Sequence, residues 1–152
     1  MMISLSLPTP PGFGRFSLMT GLFMLDTNIL SDIIRNPDGK AVKRMAEMGD
    51  ATVCTSVMVA CELRYGAAKR ASSALTQRVA ALLEIIPVLP LDSDADRYYA
   101  EIRTALESKG HCIGGNDLLI AAHCCAGDAT LVTHNRREFD RVPGLVVADW
   151  LD

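Results

Sequence analysis

The sequence predicts a single α/β domain, with a central parallel sheet of four to five strands flanked by α-helices on both faces. Two observations predict it. Short, continuously apolar runs recur along the chain, and such runs suit strands buried on both sides. Between them lie stretches of helical spacing, often two per gap, and strands alternating with helices call for a parallel sheet. A length of 152 residues agrees, because it suits one core better than two.

The elements follow in order. Leu22-Phe23-Met24-Leu25 reads as a first strand that ends abruptly at Asp26-Thr27-Asn28. Ile29 to Arg35 is expected to be helical and is stopped by Asn36-Pro37-Asp38-Gly39. Ala41, Val42, Met45 and Ala46 give a second helical stripe, ended by Gly49. Thr52-Val53-Cys54-Thr55 reads as the second strand, and Ser56 as the cap of a helix reaching about Arg70. Leu75, Val79, Leu82 and Leu83 mark another helix. Ile85 to Leu89 reads as a third strand, at an edge because Pro87 cannot donate to a ladder. Asp92 or Ser93 is a cap for a helix running to Lys109, with Gly110 at its C′ position. Leu118 to Ala126 is an apolar helix closed by Gly127. Thr130-Leu131-Val132-Thr133 is the fourth strand, and Val146-Val147 the fifth.

Residues 1–23 differ from the rest. They hold one charge, Arg15, and prolines 8, 10 and 11 interrupt the apolar run. A secretory signal needs a basic start and an unbroken apolar stretch, so the segment is read as a flexible extension, with Met24 an alternative start. The domain proper is then 24–152. No run reaches the ~18 apolar residues that would span a membrane.

Apolar residues make up 49% of the chain and charged ones 22%, which excludes a disordered or low-complexity polymer. The 15 basic and 18 acidic residues leave a net charge of −3, so the chain does not advertise a nucleic-acid surface. Gathering several acids around metal ions would lift that objection. Five cysteines, an odd number without regular spacing, argue against a disulfide framework and for a reducing compartment. His111-Cys112 and His123-Cys124 match no standard zinc spacing, and buried small thiols are the plainer reading.

The acids carry the chemistry. Asp26 directly follows the first strand, Glu62 lies about two turns into the helix after the second, Asp117 opens a helix after Gly114-Gly115-Asn116, and Glu138 follows the fourth strand. In open α/β sheets ligands bind outside the carboxyl ends of the strands, and all four acids can reach that rim. A carboxylate beside buried apolar segments is costly unless paired, and several together need a proton or a cation. Hard oxygen donors favour Mg²⁺ or Mn²⁺. Each acid alone has an ordinary explanation: Asp26 and Asp117 as helix caps, Glu62 and Glu138 as solvated charges. Their joint placement favours a site. Tyr98, Tyr99 and Ile102 form a stripe that fits an interface or the core equally well.

At this point the residues resemble a known family. Met24-Leu25-Asp26-Thr27-Asn28-Ile29-Leu30-Ser31 resembles the opening block of PIN-domain proteins. SVMVACELRYGA (56–67), GHCIGGNDLLIAA (110–122) and ATLVTHNRREF (129–139) resemble the next three, in order. The likeness is greatest to VapC toxins of VapBC toxin–antitoxin modules, with their FitB-like relatives. It implies a PIN domain over 24–152 and a Mg²⁺-dependent endoribonuclease, Mn²⁺ being possible. It implies Asp26, Glu62, Asp117 and Glu138 as the catalytic acids, with Asp26 and Asp117 as metal ligands. Thr27, Asn28, Asn116, Thr133 and Asn135 would bind substrate or orient water. It further implies a cytoplasmic homodimer, joined in a larger complex by a VapB-type antitoxin that contacts operator DNA, with tRNA or rRNA as substrate. Gly115 stands where the family often has proline, His134 where a small polar residue is usual, and Asp140 is an alternative fourth acid. Arg64, Lys69, Arg70, Arg136, Arg137 and Arg141 are candidates to flank the cleft. Two rivals lack their signatures: no G-x-G-x-x-G turn or Walker loop is present. An aspartyl-phosphate enzyme would use Asp26 alone, and a PIN scaffold that binds without cutting is the remaining alternative.

Overall fold

A computed structural model describes residues 21–48, 52–92 and 94–152. Five strands, β1 (Leu22–Leu25), β2 (Thr52–Ser56), β3 (Val88–Leu89), β4 (Thr130–Val132) and β5 (Val147–Ala148), form one sheet. Its order is β3-β2-β1-β4-β5 and every pairing is parallel. Seven helices connect them: α1 (Thr27–Arg35), α2 (Lys40–Glu47), α3 (Val57–Lys69), α4 (Ser73–Ile85), α5 (Ala95–Ser108), α6 (Gly115–Ala126) and α7 (Arg136–Phe139).

Successive strand residues point to opposite faces of a sheet. Met24 and Leu25, Cys54 and Thr55, and Leu131 and Val132 are all 0% exposed, so both faces are covered. That explains why β1 reads as a continuous apolar run instead of an alternating one, while the buried Thr55 of β2 satisfies its hydroxyl on the Leu25 carbonyl at 2.7 Å. The order of the sheet reverses at β1, from which the chain builds outward first through β2 and then through β4. The crevice of such a fold opens beyond the carboxyl ends of these two central neighbours.

The expected elements are present, with several boundaries moved. The expected extension overlaps β1 at Leu22 and Phe23, while residues 1–20 lie outside the described residues, as do the expected stop at Gly49 and cap at Ser93. Helix α1 begins at Thr27, two residues early, because Asp26 caps it by accepting from the Thr27 N–H at 2.8 Å. Ser56 caps α3 through the Met58 N–H, as expected. The third strand is shorter than expected, because Ile85 ends α4 and is 75% exposed. It does sit at the edge, where the Pro87 carbonyl accepts from the Thr55 N–H at 2.9 Å. At the start of α5 the cap position falls to Asp94 rather than Asp92, without a side-chain cap bond.

Gly110 takes φ +67° after α5, where the Gly110 and His111 N–H groups bond back to Glu107 and Leu106. After α6 the left-handed position is Asp128, at φ +50°, and not Gly127. Helix α6 starts at Gly115, three residues before the expected Leu118. Thr133 lies one residue past β4, β5 is shifted by one to Val147–Ala148, and the one-turn α7 was not foreseen. Tyr98 and Tyr99 pack partly buried against the core with Ile102 buried, which resolves that stripe as core. All five cysteines are free, and burial pushes the Cys54 thiol up to about 12. No helix among the described residues is long and apolar enough to cross a membrane.

Candidate active site

Asp26 is 5% exposed and held from several directions. Its backbone N–H extends the β1–β4 ladder to the Val132 carbonyl at 2.9 Å. Its Oδ1 caps α1, and its Oδ2 accepts from the Thr133 hydroxyl at 2.7 Å and from Asn28 Nδ2 at 3.4 Å. Capping and site geometry are therefore served by different oxygens of one carboxylate. Burial pushes the Asp26 carboxyl above its ordinary range, and the bonds from Thr133, Thr27 and Asn28 partly oppose that.

Thr133 is fully buried, and its hydroxyl also accepts from the Asn135 N–H at 3.0 Å. Asn28 reaches across from α1, its Oδ1 accepting from the His134 N–H at 3.0 Å. The end of β4 is thereby tied to the start of α1. Thr27 turns the other way and donates its hydroxyl to Glu62 Oε2 at 2.8 Å, drawing the α3 acid inward. Asn135 Nδ2 donates to Glu138 Oε2 at 3.3 Å from the start of α7.

Asp117 completes the group from the first turn of α6. Its carboxyl is pushed up to about 7, first by burial, then by a hydrogen bond with Glu138 and the negative charges of Asp26, Glu138 and Glu62. Two carboxyl groups share a hydrogen bond only when one is protonated. Asp117 carries that proton as pH falls below about 7. A site that must take up a proton to tolerate its own acids is one that a divalent cation would neutralise instead, and oxygen donors of this kind suit a hard cation. The donor set fits a divalent metal.

The cleft above these residues measures about 530 Å³, and Asp26, Thr27, Asn28, Glu62, Asp117 and Asn135 line it. Of the remaining expected residues, Asn116 is exposed and makes no side-chain hydrogen bond among the described residues. Asp140 pairs on the surface with Arg136 at 3.3 Å, whereas Glu138 contacts both Asp117 and Asn135. His123 is buried, its Nδ1 2.8 Å from Ser56 Oγ, and Cys124 Sγ reaches the Ala129 carbonyl. A further ligand-rich group is formed by His134, Asp149 and Asp152, which offer atoms within 4.8 Å of one another. Of the expected basic flank, Arg70 lines the cleft, while Arg141 Nη1 reaches the Cys112 carbonyl at 3.4 Å. Arg35, also in the lining, was missed by the sequence reading. It follows Asn28 and Ser31 on one face of α1 at helical spacing, a signal that was available.

Fold and site together define an α/β domain whose carboxylates converge where the strand order reverses, a donor set that fits a divalent cation. The PIN domain family model matches residues 23–145, and the chain belongs to that family. It is 38% identical over 131 residues to ribonuclease VapC2 of Rickettsia felis, covering 85% of this chain and 98% of that one. It is 36% identical over 132 residues to the tRNA(fMet)-specific endonuclease VapC of Shigella flexneri, covering 84% and 97%. Among solved structures it resembles VapBC2 from Rickettsia felis bound to a DNA fragment from its promoter. There the TM-score is 0.79 at 35% identity, over 85% of this chain and 98% of that one.

Proposed function

We propose that this chain is a divalent-metal-dependent endoribonuclease, the VapC-type toxin of a toxin–antitoxin pair. Mg²⁺ is its ion, with Mn²⁺ able to substitute. The observation that carries the reading is the convergence of Asp26, Glu62, Asp117 and Glu138, whose crowding with burial pushes the Asp117 carboxyl up to about 7. The VapC ribonuclease relatives and the likeness to a VapBC complex support it. A VapB-type antitoxin holds the toxin in check and contacts operator DNA on its behalf. The toxin acts in the cytoplasm as a homodimer within that larger complex, and its substrate is a structured RNA such as tRNA or rRNA. The PIN domain takes in the whole of β1 from Leu22, and the segment preceding that strand is an extension to it.

Asp26 and Asp117 would hold the cation, and Glu62 and Glu138 would complete its surroundings. When bound, the cation polarises the phosphoryl oxygen, lowers the pKa of water and removes the repulsion between the acids and the RNA. Thr133 and the Thr27 N–H fix Asp26 in one orientation. The Thr27 hydroxyl does the same for Glu62, and Asn135 for Glu138. This prearrangement spares the site the reorganisation that would otherwise add to the barrier. Asn28, Asn116 and Asn135 offer amides to water or to phosphate oxygens.

The test uses antitoxin-free protein and total bacterial RNA, with Mg²⁺ or with chelator. Discrete cleavage by wild type with Mg²⁺, lost in chelator and in Asp26→Asn, is the expected result. Wild-type cleavage rates from folded Asp26→Asn would overturn the assignment.

A further inference from the structure

The cleft continues beyond the acids, and its far end is chemically different. Its lining there takes in Arg35, in the last turn of α1, and Arg70, the C-cap of α3, together with the apolar Ile34, Leu75 and Val79. Arg44, Arg103 and Arg136 each pair with an acid on or next to their own helix. Among the described residues Arg35 and Arg70 have no such partner, so two uncompensated cations face a cleft whose other end is acidic.

The spacing is regular. Arg35 follows Asn28 by seven residues and Arg70 follows Glu62 by eight, which at ~1.5 Å per helical residue puts each arginine ~11–12 Å along its helix from the acid end. That span equals about three nucleotides at the ~3.4 Å rise of a stacked strand. The cleft volume of about 530 Å³ falls in the ~300–1,000 Å³ range of sites that enclose a small ligand. Such a space admits an unstacked nucleotide. Apolar side chains bury the faces of a splayed base, and guanidinium planes stack on bases while binding phosphate.

We infer that Arg35 and Arg70 grip backbone phosphates about three nucleotides away from the cut, while Ile34, Leu75 and Val79 receive one unstacked base, so the cleft selects single-stranded RNA. The inference rests on the ribonuclease reading and adds to it the strand and the subsite. Arg35 and Arg70 position the strand and do not touch the reacting atoms.

The test is made on antitoxin-free full-length protein, with Arg35→Gln, Arg70→Gln and Leu75→Ala. Binding of a short labelled single-stranded RNA pool is measured in chelator across a salt series, and cleavage of total tRNA is measured in Mg²⁺. Each arginine variant is expected to weaken binding about tenfold. Each should also flatten the slope of log affinity against log salt by about 0.7. KM should rise by more than kcat falls. Leu75→Ala should weaken binding without changing the salt slope, and the same RNA annealed into a duplex should bind poorly. Cleavage by wild type with unchanged affinity and slope in both arginine variants would overturn the inference and leave the ribonuclease reading standing. Arginine-dependent binding without wild-type cleavage would support the inference and sink that reading. Variants that lose only their antitoxin, and bind RNA as wild type does, would assign the groove to a peptide and overturn the inference.

Discussion

Replacing Asp117 by asparagine should stabilise the metal-free protein while destroying its metal response. Asp117 ordinarily titrates near 3.8 and is pushed up to about 7 by burial and by its acidic neighbours. A rise of that size corresponds to ~4 kcal/mol between its two protonation states. The side chain is half-buried, so solvent screening reduces the usable figure to ~1–2 kcal/mol. The sign is fixed by linkage. Between pH 3.8 and about 7 the folded chain holds a proton on Asp117 that the unfolded chain has released. The contribution is complete below that window and lost as pH rises through about 7. At pH 8 in chelator the wild type therefore folds around an unneutralised cluster. The Asp117→Asn variant should unfold ~2–8 °C higher under those conditions, at ~2–4 °C per kcal/mol. Thermal unfolding followed by circular dichroism measures this. Saturating Mg²⁺, at about a hundredfold over its dissociation constant, should add ~2.7 kcal/mol to wild type and little to the variant. A variant melting at or below wild type in chelator at pH 8 would refute the reasoning.

Further predictions concern the scaffold. Gly114 already has the extended backbone that precedes proline, at φ −59° and ψ 153°, and nothing lies within 4 Å of a Cβ at Gly115, the first residue of α6. Gly115→Pro should thus raise the urea midpoint by an amount worth ~0.4–1 kcal/mol, with the m-value unchanged. Thr133→Val removes the 2.7 Å bond to Asp26 and should cost ~1.5–3 kcal/mol in urea unfolding, together with a loss of cleavage. A variant as stable and active as wild type would show that Thr133 does not hold Asp26. Burial lowers the pKa of His123 below 6.5, so its contribution is present above 6.5 and lost as pH falls. Urea midpoints at pH 5 and 7.5 should diverge less in His123→Gln than in wild type.

The central part of the fold is legible because β1 is buried at its end on both faces and apolar throughout, while β2 and β4 are short β-branched runs bounded by helix signals. The ends of elements were less so. Leu82-Leu83-Glu84-Ile85-Ile86 is apolar enough for strand or helix, and periodicity over so short a run cannot separate them, so Ile85 was assigned to the wrong element. Helix α7 is a single turn and carries no period to detect. The four acids were legible from their places after strands. The threonine and asparagine bonds that orient them depend on rotamers and on contacts across more than a hundred residues, which spacing does not encode. Arg35 was missed because it sits at the end of α1, where a basic residue is already explained by the helix dipole.

The strand order has a consequence for the life of the molecule before it is finished. Asp26 sits on the central strand, yet its hydroxyl partner Thr133 is 107 residues further along the chain. Asp117 and Glu138 likewise belong to the last third of the sequence. A polypeptide still being translated therefore owns Asp26 and Glu62 without the acids that would complete the centre. On the proposed assignment, the cutting apparatus comes into being only as synthesis closes, and the ribosome making it is spared a working blade from an unfinished copy.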